Sequence, residues 1–156
     1  MAIAHQIEIK EGLRAIYVRS QKTLDRILAP YGSSSARYSL MSYIANHDGV
    51  RSADIIKAFT LAPRTVTEAI DALEADGLVQ RRAAALDRRA KVIVLTPAGA
   101  RLFRKLEPIC ERFAERLLGA LPAEERKQFG NMLGKLVRRL DDLLAEAEET
   151  EDMATT

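Results

Sequence analysis

Arg64, Thr65, Thr67 and Glu68 crowd the polar side of one short segment. Their side chains match the edges of base pairs: arginine donates twice to guanine, glutamate accepts from the cytosine amino group, and threonine reaches a phosphate or a thymine methyl. Arg64 and Glu68 are also four residues apart, so the alternative is an ion pair on the surface of a helix. The two threonines have an equally plain alternative as solvent-facing polar residues. A second cluster, Arg81, Arg82, Arg88, Arg89 and Lys91, lies just downstream. Arg81, Arg82 and Lys91 suit phosphate contacts, which position a protein and make binding salt-dependent without reading sequence. Arg88 and Arg89 suit a narrow minor groove, whose negative potential attracts a guanidinium, and sequence leaves open which of them enters.

Positioning these groups takes a helix followed by a hairpin. Pro63 fits a first helical position, Val66, Ala69, Ile70 and Leu73 recur at helical spacing, and Gly77 can take the left-handed conformation that stops a helix. The pattern predicts a helix from Pro63 to Asp76. Leu78 to Arg82 and Lys91 to Leu95 read as short strands joined by the loop Ala83 to Ala90. Thr96 and Pro97 then form an N-cap and first turn, so another helix starts directly from the second strand. Upstream, a first helix is expected over about Ile7 to Leu28, ended by Pro30, Tyr31 and Gly32. A second, capped among Ser33, Ser34 and Ser35, runs through Tyr38, Leu40, Met41 and Ile44 and stops between Asn46 and Gly49. A third covers about Ser52 to Phe59. The order predicts a mainly α fold with a small β-hairpin wing (α+β), a winged helix-turn-helix core flanked by N- and C-terminal helices.

The flanking helices carry long apolar stripes. Ile9, Leu13, Ile16, Leu24 and Ile27 mark the first. Leu102, Leu106, Ile109, Phe113 and Leu117 mark the fifth, in which Pro108 should produce a bend, and Phe129, Met132, Leu133, Leu136, Leu140 and Leu143 mark a sixth beyond the break at Leu121 and Pro122. Such stripes predict a homodimer, whose two-fold symmetry would suit a two-fold DNA site. The expected organisation is one structural domain: 1–32 for dimerisation, 33–100 the DNA-binding lobe, 101–148 dimerisation helices, and 149–156 an acidic flexible tail.

Charge is distributed unevenly. From Leu78 to Arg104, seven basic residues face the single acid Asp87, a net +6, whereas Asp141 to Thr156 holds seven acids and no Lys or Arg, a net −7. The whole-chain value of +2 conceals that polarity, which concentrates positive potential around the hairpin as nucleic-acid binders do. Other chemistries find little support. His5 and His47 have no neighbouring cysteine or histidine to complete a metal set or a nucleophile triad, so no enzyme, metal or cofactor is expected. His47 reads as a surface or capping residue, and Cys110, in the fifth-helix stripe, as a buried structural thiol in preference to a redox sensor. With 156 residues, 47% hydrophobic, no run of about 18 apolar residues and no signal-peptide core near His5, Glu8 and Lys10, the chain is expected in the cytoplasm, without a membrane partner.

The run Asp87-Arg88-Arg89-Ala90-Lys91-Val92-Ile93-Val94-Leu95-Thr96-Pro97-Ala98-Gly99 resembles the wing motif of the MarR family of bacterial transcriptional regulators, on Asp87, Arg89, Leu95, Thr96 and Gly99. Thr65, Val66, Thr67, Asp71, Leu73, Gly77, Leu78 and Val79 resemble the same family's recognition helix and its exit. The resemblance implies a homodimer with interlocking terminal helices, recognition helices in two major grooves and wings in the flanking minor grooves. It also implies that Asp87 and Arg89 brace each other across the loop base. Ala62, Glu68 and Ala72 depart from the pattern, standing where relatives commonly carry a small polar cap, a basic or polar residue and a basic residue. Fewer cations therefore face the groove.

The resemblance further implies a small effector between the terminal helices and the lobe. Tyr17, Tyr38, Met41, Ser42 and Phe103 are the candidate lining residues, each with a plain core alternative, and an aromatic or phenolic molecule is the expected class. The resulting expectation is a ligand-responsive regulator, in the form of a repressor, on a pseudo-palindromic double-stranded operator. A winged-helix protein-interaction module and a small-molecule-binding helical protein without a DNA role are the alternatives.

Overall fold

The computed structural model describes residues 2–84 and 91–154. Its elements are α1 (Ala2–Leu28), a 3-10 turn (Ala29–Tyr31), α2 (Ser35–Ala45), α3 (Ser52–Phe59), α4 (Pro63–Ala75), β1 (Val79–Ala83), β2 (Lys91–Leu95), α5 (Pro97–Leu118) and α6 (Ala123–Ala154). They form two compact units, Met1–Glu111 and Arg112–Thr156. The fold is mainly α with one antiparallel hairpin, as the residue pattern predicts.

Several boundaries differ from expectation, each for a local reason. β1 begins at Val79 because Leu78 still belongs to the end of α4. Gly77, at φ +68°, donates its N–H to Glu74 O at 2.9 Å and Leu78 donates to Leu73 O at 2.9 Å, a Schellman closure with Leu73 and Leu78 both buried. α6 continues helical to Ala154, past the point where an acidic tail was expected. That segment holds Glu, Ala and Met, good helix formers, and neither Gly nor Pro. α1 starts at Ala2, and α5 runs unbroken through Pro108.

The core of the first unit lies where α2, α3, α4, the hairpin and α5 meet. Leu28, Met41, Ile55, Ile70, Leu73 and Leu106 are essentially inaccessible there. The hairpin pairs Val79 with Leu95 through Ala83 with Lys91. β2 is also bridged on its far edge, where Val50 and Ile93 exchange backbone hydrogen bonds of 3.1 and 2.7 Å. That single-residue bridge ties the approach to α3 onto the wing. Gly49 beside it sits at φ +83°, and a Cβ there would press against Val92 at 3.2 Å.

Thr96 fastens α5 to the exit of α4. Its hydroxyl donates to Gly77 O at 2.6 Å and accepts from the Gly99 N–H at 3.0 Å, while its own N–H donates to Leu78 O at 3.0 Å. Gly99 makes the approach possible, since a Cβ would lie 1.9 Å from Leu78 O. The other end of the lobe is fastened by Asp25 of α1, whose Oδ1 accepts from the backbone N–H of Ser35 at 2.7 Å and from its hydroxyl at 2.6 Å. A carboxylate at the start of α2 satisfies an orphan donor and complements the helix dipole. Those two bonds hold its pKa below the ordinary aspartate value, opposed weakly by burial.

The terminal helices are built differently. Ile7, Ile9, Leu13, Ile16, Tyr17 and Val18 on α1 are exposed, and so are Met132, Leu136, Val137, Leu140, Leu143 and Leu144 on α6. Among the described side chains of the second unit, none is fully buried.

Candidate nucleic-acid interface

α4 turns Val66, Ile70 and Leu73 into the core and leaves Arg64, Thr65, Thr67, Glu68 and Asp71 in solvent. Its start rests on Pro63, whose fixed φ suits the first turn, and Ala62 ahead of it supplies no side-chain cap. Arg64 Nε donates to Glu68 Oε1 at 2.8 Å, so of the two alternatives open in sequence the isolated chain adopts the pair. With side-chain exposures of 89% and 65%, that pair is weak and can open for a ligand. Thr67 donates its hydroxyl to Pro63 O at 3.0 Å, and Thr65 is exposed.

α3 and α4 meet through Thr60, which stands at φ +50° and donates its N–H to Ile56 O. A β-branched residue in the left-handed region is uncommon, and no residue pattern announced it. The start of α3 is held by Asp54, whose carboxylate accepts the Arg51 N–H at 2.9 Å.

The two arginines of β1 have opposite fates because successive strand residues face opposite sides. Arg81 was expected on phosphate. Instead its guanidinium reaches Asp71 at 2.5 Å and also binds Glu74, and its backbone N–H donates to Glu74 Oε1 at 3.2 Å. The hydrogen bond to Asp71, with the charge of Glu74, raises its pKa against the effect of burial. Arg81 is thus a clamp between the hairpin and α4, leaving little of its charge for a phosphate. Arg82 faces the other way, with only exposed Asp48 at 3.8 Å as an ion partner among the described residues. Lys91 is exposed at the start of β2. Asp87, Arg88 and Arg89, the expected brace and minor-groove residues, lie outside the described residues.

The expected effector residues stand in different surroundings. Tyr38 stacks on Phe103, with centroids 5.8 Å apart, and Met41 is fully buried in the core. Ser42 is half-buried, whereas Tyr17 is exposed on α1. Burial raises the Tyr38 pKa, helped by Cys110, Glu107 and Glu111 and opposed by Ser42. Cys110 is a core thiol pushed up to about 11 by burial, which removes the thiolate that redox chemistry needs. His47 Nδ1 lies 2.7 Å from Tyr43 O and its ring packs on Tyr43. Because a carbonyl only accepts, Nδ1 is the protonated nitrogen and His47 caps the end of α2. No group of described residues is arranged to hold a metal ion, and no described helix is long and apolar enough to cross a membrane.

Sequence reasoning missed Asp25, Arg37 and Asp76. Arg37 donates to Asp76 Oδ2 at 2.5 Å, joining the first turn of α2 to the end of α4. Partners 39 residues apart leave no local pattern.

The family model described as "MarR family" matches residues 34–91. The transcriptional regulator HosA of Escherichia coli O157:H7 is 31% identical over 101 residues, covering 65% of this chain and 75% of HosA. The HTH-type transcriptional regulator YwhA of Bacillus subtilis is 29% identical over 122 residues, 78% of this chain and 88% of YwhA. Among solved structures, a Staphylococcus aureus MepR–DNA complex superposes with a TM-score of 0.76 at 26% identity, over 83% of this chain and 96% of MepR.

Proposed function

The chain belongs to the MarR family of transcriptional regulators, and on that premise we propose that it is a ligand-responsive repressor binding a pseudo-palindromic DNA operator as a homodimer in the cytoplasm. The observation that carries the DNA reading is α4, whose polar face, Arg64, Thr65, Thr67 and Glu68, stands in solvent on a lobe that superposes on MepR in a complex with DNA. Arg82, Lys91 and the loop pair Arg88 and Arg89 supply the backbone and minor-groove contacts, with Asp87 bracing Arg89. Arg81 positions α4 through Asp71 and Glu74.

The homodimer is supported by the apolar stripes exposed on α1 and α6. Burying one large aliphatic side chain contributes roughly 1.5–3 kcal/mol, so such stripes favour a second copy over water. Residues 1–32 and 101–148 serve that association and 33–100 the reading of DNA. Tyr17, Tyr38, Ser42 and Phe103 mark the site of a small aromatic or phenolic effector. Met41, the other residue expected to line that site, is buried in the core.

Footprinting on DNA fragments selected by the purified protein tests this reading. Two protected half-sites about one helical turn apart are expected. A single asymmetric half-site bound by one copy, or no selected DNA at all, would sink it.

A further inference from the structure

The charge of α4 itself opposes DNA. Pro63–Ala75 carries one cation, Arg64, against the acids Glu68, Asp71 and Glu74, a net −2. Two of those acids are answered from outside the helix: the guanidinium of Arg81 on β1 reaches Asp71 at 2.5 Å and binds Glu74 as well, and the Arg81 N–H donates to Glu74 Oε1 at 3.2 Å. Asp71 lies one turn beyond Thr67 on the exposed side of α4, so this clamp extends to the reading face as well as to the buried seam. On the hairpin, Arg81 stands opposite Ile93, the residue of β2 that is bridged to Val50 ahead of α3. One cross-strand position therefore ties the hairpin both to α4 and to the approach of α3.

Val66, Ile70 and Leu73 already bury the inner side of α4. Apolar burial is non-directional, and by itself it lets a helix roll slightly on its seat. A planar fork with charge-assisted bonds to two carboxylates of the helix fixes that roll. We infer that Arg81, with Asp71 and Glu74, determines DNA specificity by holding α4 and the hairpin as one body, so that major-groove and wing contacts meet the duplex in fixed register. The clamp rests on α4 being the DNA-facing helix, and extends that reading to how the two sets of contacts are coupled. Arg81 is thus a positioning residue. A phosphate would have to draw its guanidinium away from two carboxylates, whereas Arg82, on the opposite side of the same strand, is available without that exchange.

The full-length protein is titrated with a DNA fragment that it has itself selected and with a scrambled duplex of equal length, at one salt concentration. Arg81→Lys keeps the charge and loses the fork, and Asp71→Asn removes an acid from the DNA-facing side. Both are expected to weaken binding of the selected fragment by at least about tenfold while affinity for the scrambled duplex stays within about threefold, because misplaced base contacts lose discrimination and phosphate contacts do not depend on sequence. Asp71→Glu, which keeps the partner, should retain the wild-type ratio of the two affinities. Without DNA, amide hydrogen exchange over residues 79–83 should quicken in Arg81→Lys and Asp71→Asn but not in Asp71→Glu, with the helical circular dichroism unchanged in all three. Tighter binding of both duplexes by Asp71→Asn would show an acid that merely repels DNA, and wild-type preference in Arg81→Lys would show a cation that needs no fork. Either result overturns the clamp, as does equal weakening of the two duplexes or exchange unchanged in both variants. A wild-type protein that prefers no fragment would instead sink the regulator reading, and the exchange measurement would still decide whether the clamp holds the hairpin.

Discussion

The lobe around α4 and the long helices at the two ends of the chain handle apolar surface in opposite ways. In the lobe, Met41, Ile55, Ile70 and Leu73 are closed off from water, and polar staples from Asp25, Arg37, Arg81 and Thr96 lock element to element. On α6 and the part of α1 before Asp25, Leu13, Ile16, Leu136 and Leu140 face solvent, and the ion pairs include short-range surface pairs such as Glu11 with Arg14 and Arg139 with Glu146. The lobe is specified from within. The ends need an outside surface to complete them.

Glycine substitutions give the sharpest break in that comparison. Gly99→Ala forces a Cβ to 1.9 Å from Leu78 O, backbone that is held by Thr96, so the start of α5 must separate from the exit of α4. A loss of about 3 kcal/mol or more is expected in chemical denaturation, together with loss of operator binding. Gly130→Ala in α6 meets nothing within 4 Å and should stabilise by about 0.5–1 kcal/mol through helix propensity. Destabilisation by Gly130→Ala would mean that its face of α6 is packed against a second copy.

The next largest effect concerns association. Leu136→Glu with Leu140→Glu places charge on side chains that are 50% and 64% exposed. Sedimentation equilibrium should show self-association weakened by at least about hundredfold, roughly 3 kcal/mol. The lobe signals in a nuclear magnetic resonance spectrum should remain dispersed. A double variant that stays dimeric would remove α6 from the interface.

Much of the lobe was legible because its rules are local. α3, β2 and the starts of α4 and α5 follow from Ser52, Pro63, Thr96, Pro97 and β-branched runs, and fall where the pattern predicts. The candidate face of α4 was legible for the same reason, since its apolar positions define the opposite side. The fate of Arg81 was not, because its partners sit on another element and a basic strand residue looks the same whether it meets phosphate or carboxylate. The bridge of Val50 to Ile93, a single residue long, has no period to detect. Asp25 resembles any solvent-facing acid on a helix until α2 places Ser35 beside it. At the far end of α6, an acidic composition suggested a tail while the helix propensity of the same residues pointed the other way.

Asp25 offers a smaller test of how the lobe is fastened to α1. Asp25→Asn keeps the shape but removes the charge at the start of α2, and should cost about 0.5–1 kcal/mol at neutral pH. The sign with pH follows from the lowered pKa: the folded state holds the proton less tightly, so the contribution is full above the ordinary aspartate value near roughly 4 and vanishes as pH falls through the folded one. Unfolding free energies of the two proteins should therefore converge in acid. A gap that persists there would assign the effect to packing and not to charge.

The smallest expected effect on stability lies in the pair that faces the groove. Arg64 and Glu68 are both exposed, and a surface pair at this spacing contributes about 0.3–0.5 kcal/mol, so Glu68→Gln should change the midpoint of unfolding little. Its effect on DNA is larger and has two distinguishable forms. If Glu68 only holds Arg64 back, the freed guanidinium should tighten binding to every sequence, because one repulsive charge has left the interface. If Glu68 reads a cytosine amino group, Glu68→Gln should relax the preference at one base pair by about 1–3 kcal/mol and leave nonspecific affinity nearly unchanged. Binding measured against a library randomised at each operator position separates the two. In the first case the lobe keeps a weak staple as a latch on its reading face, and in the second the same carboxylate is part of the code.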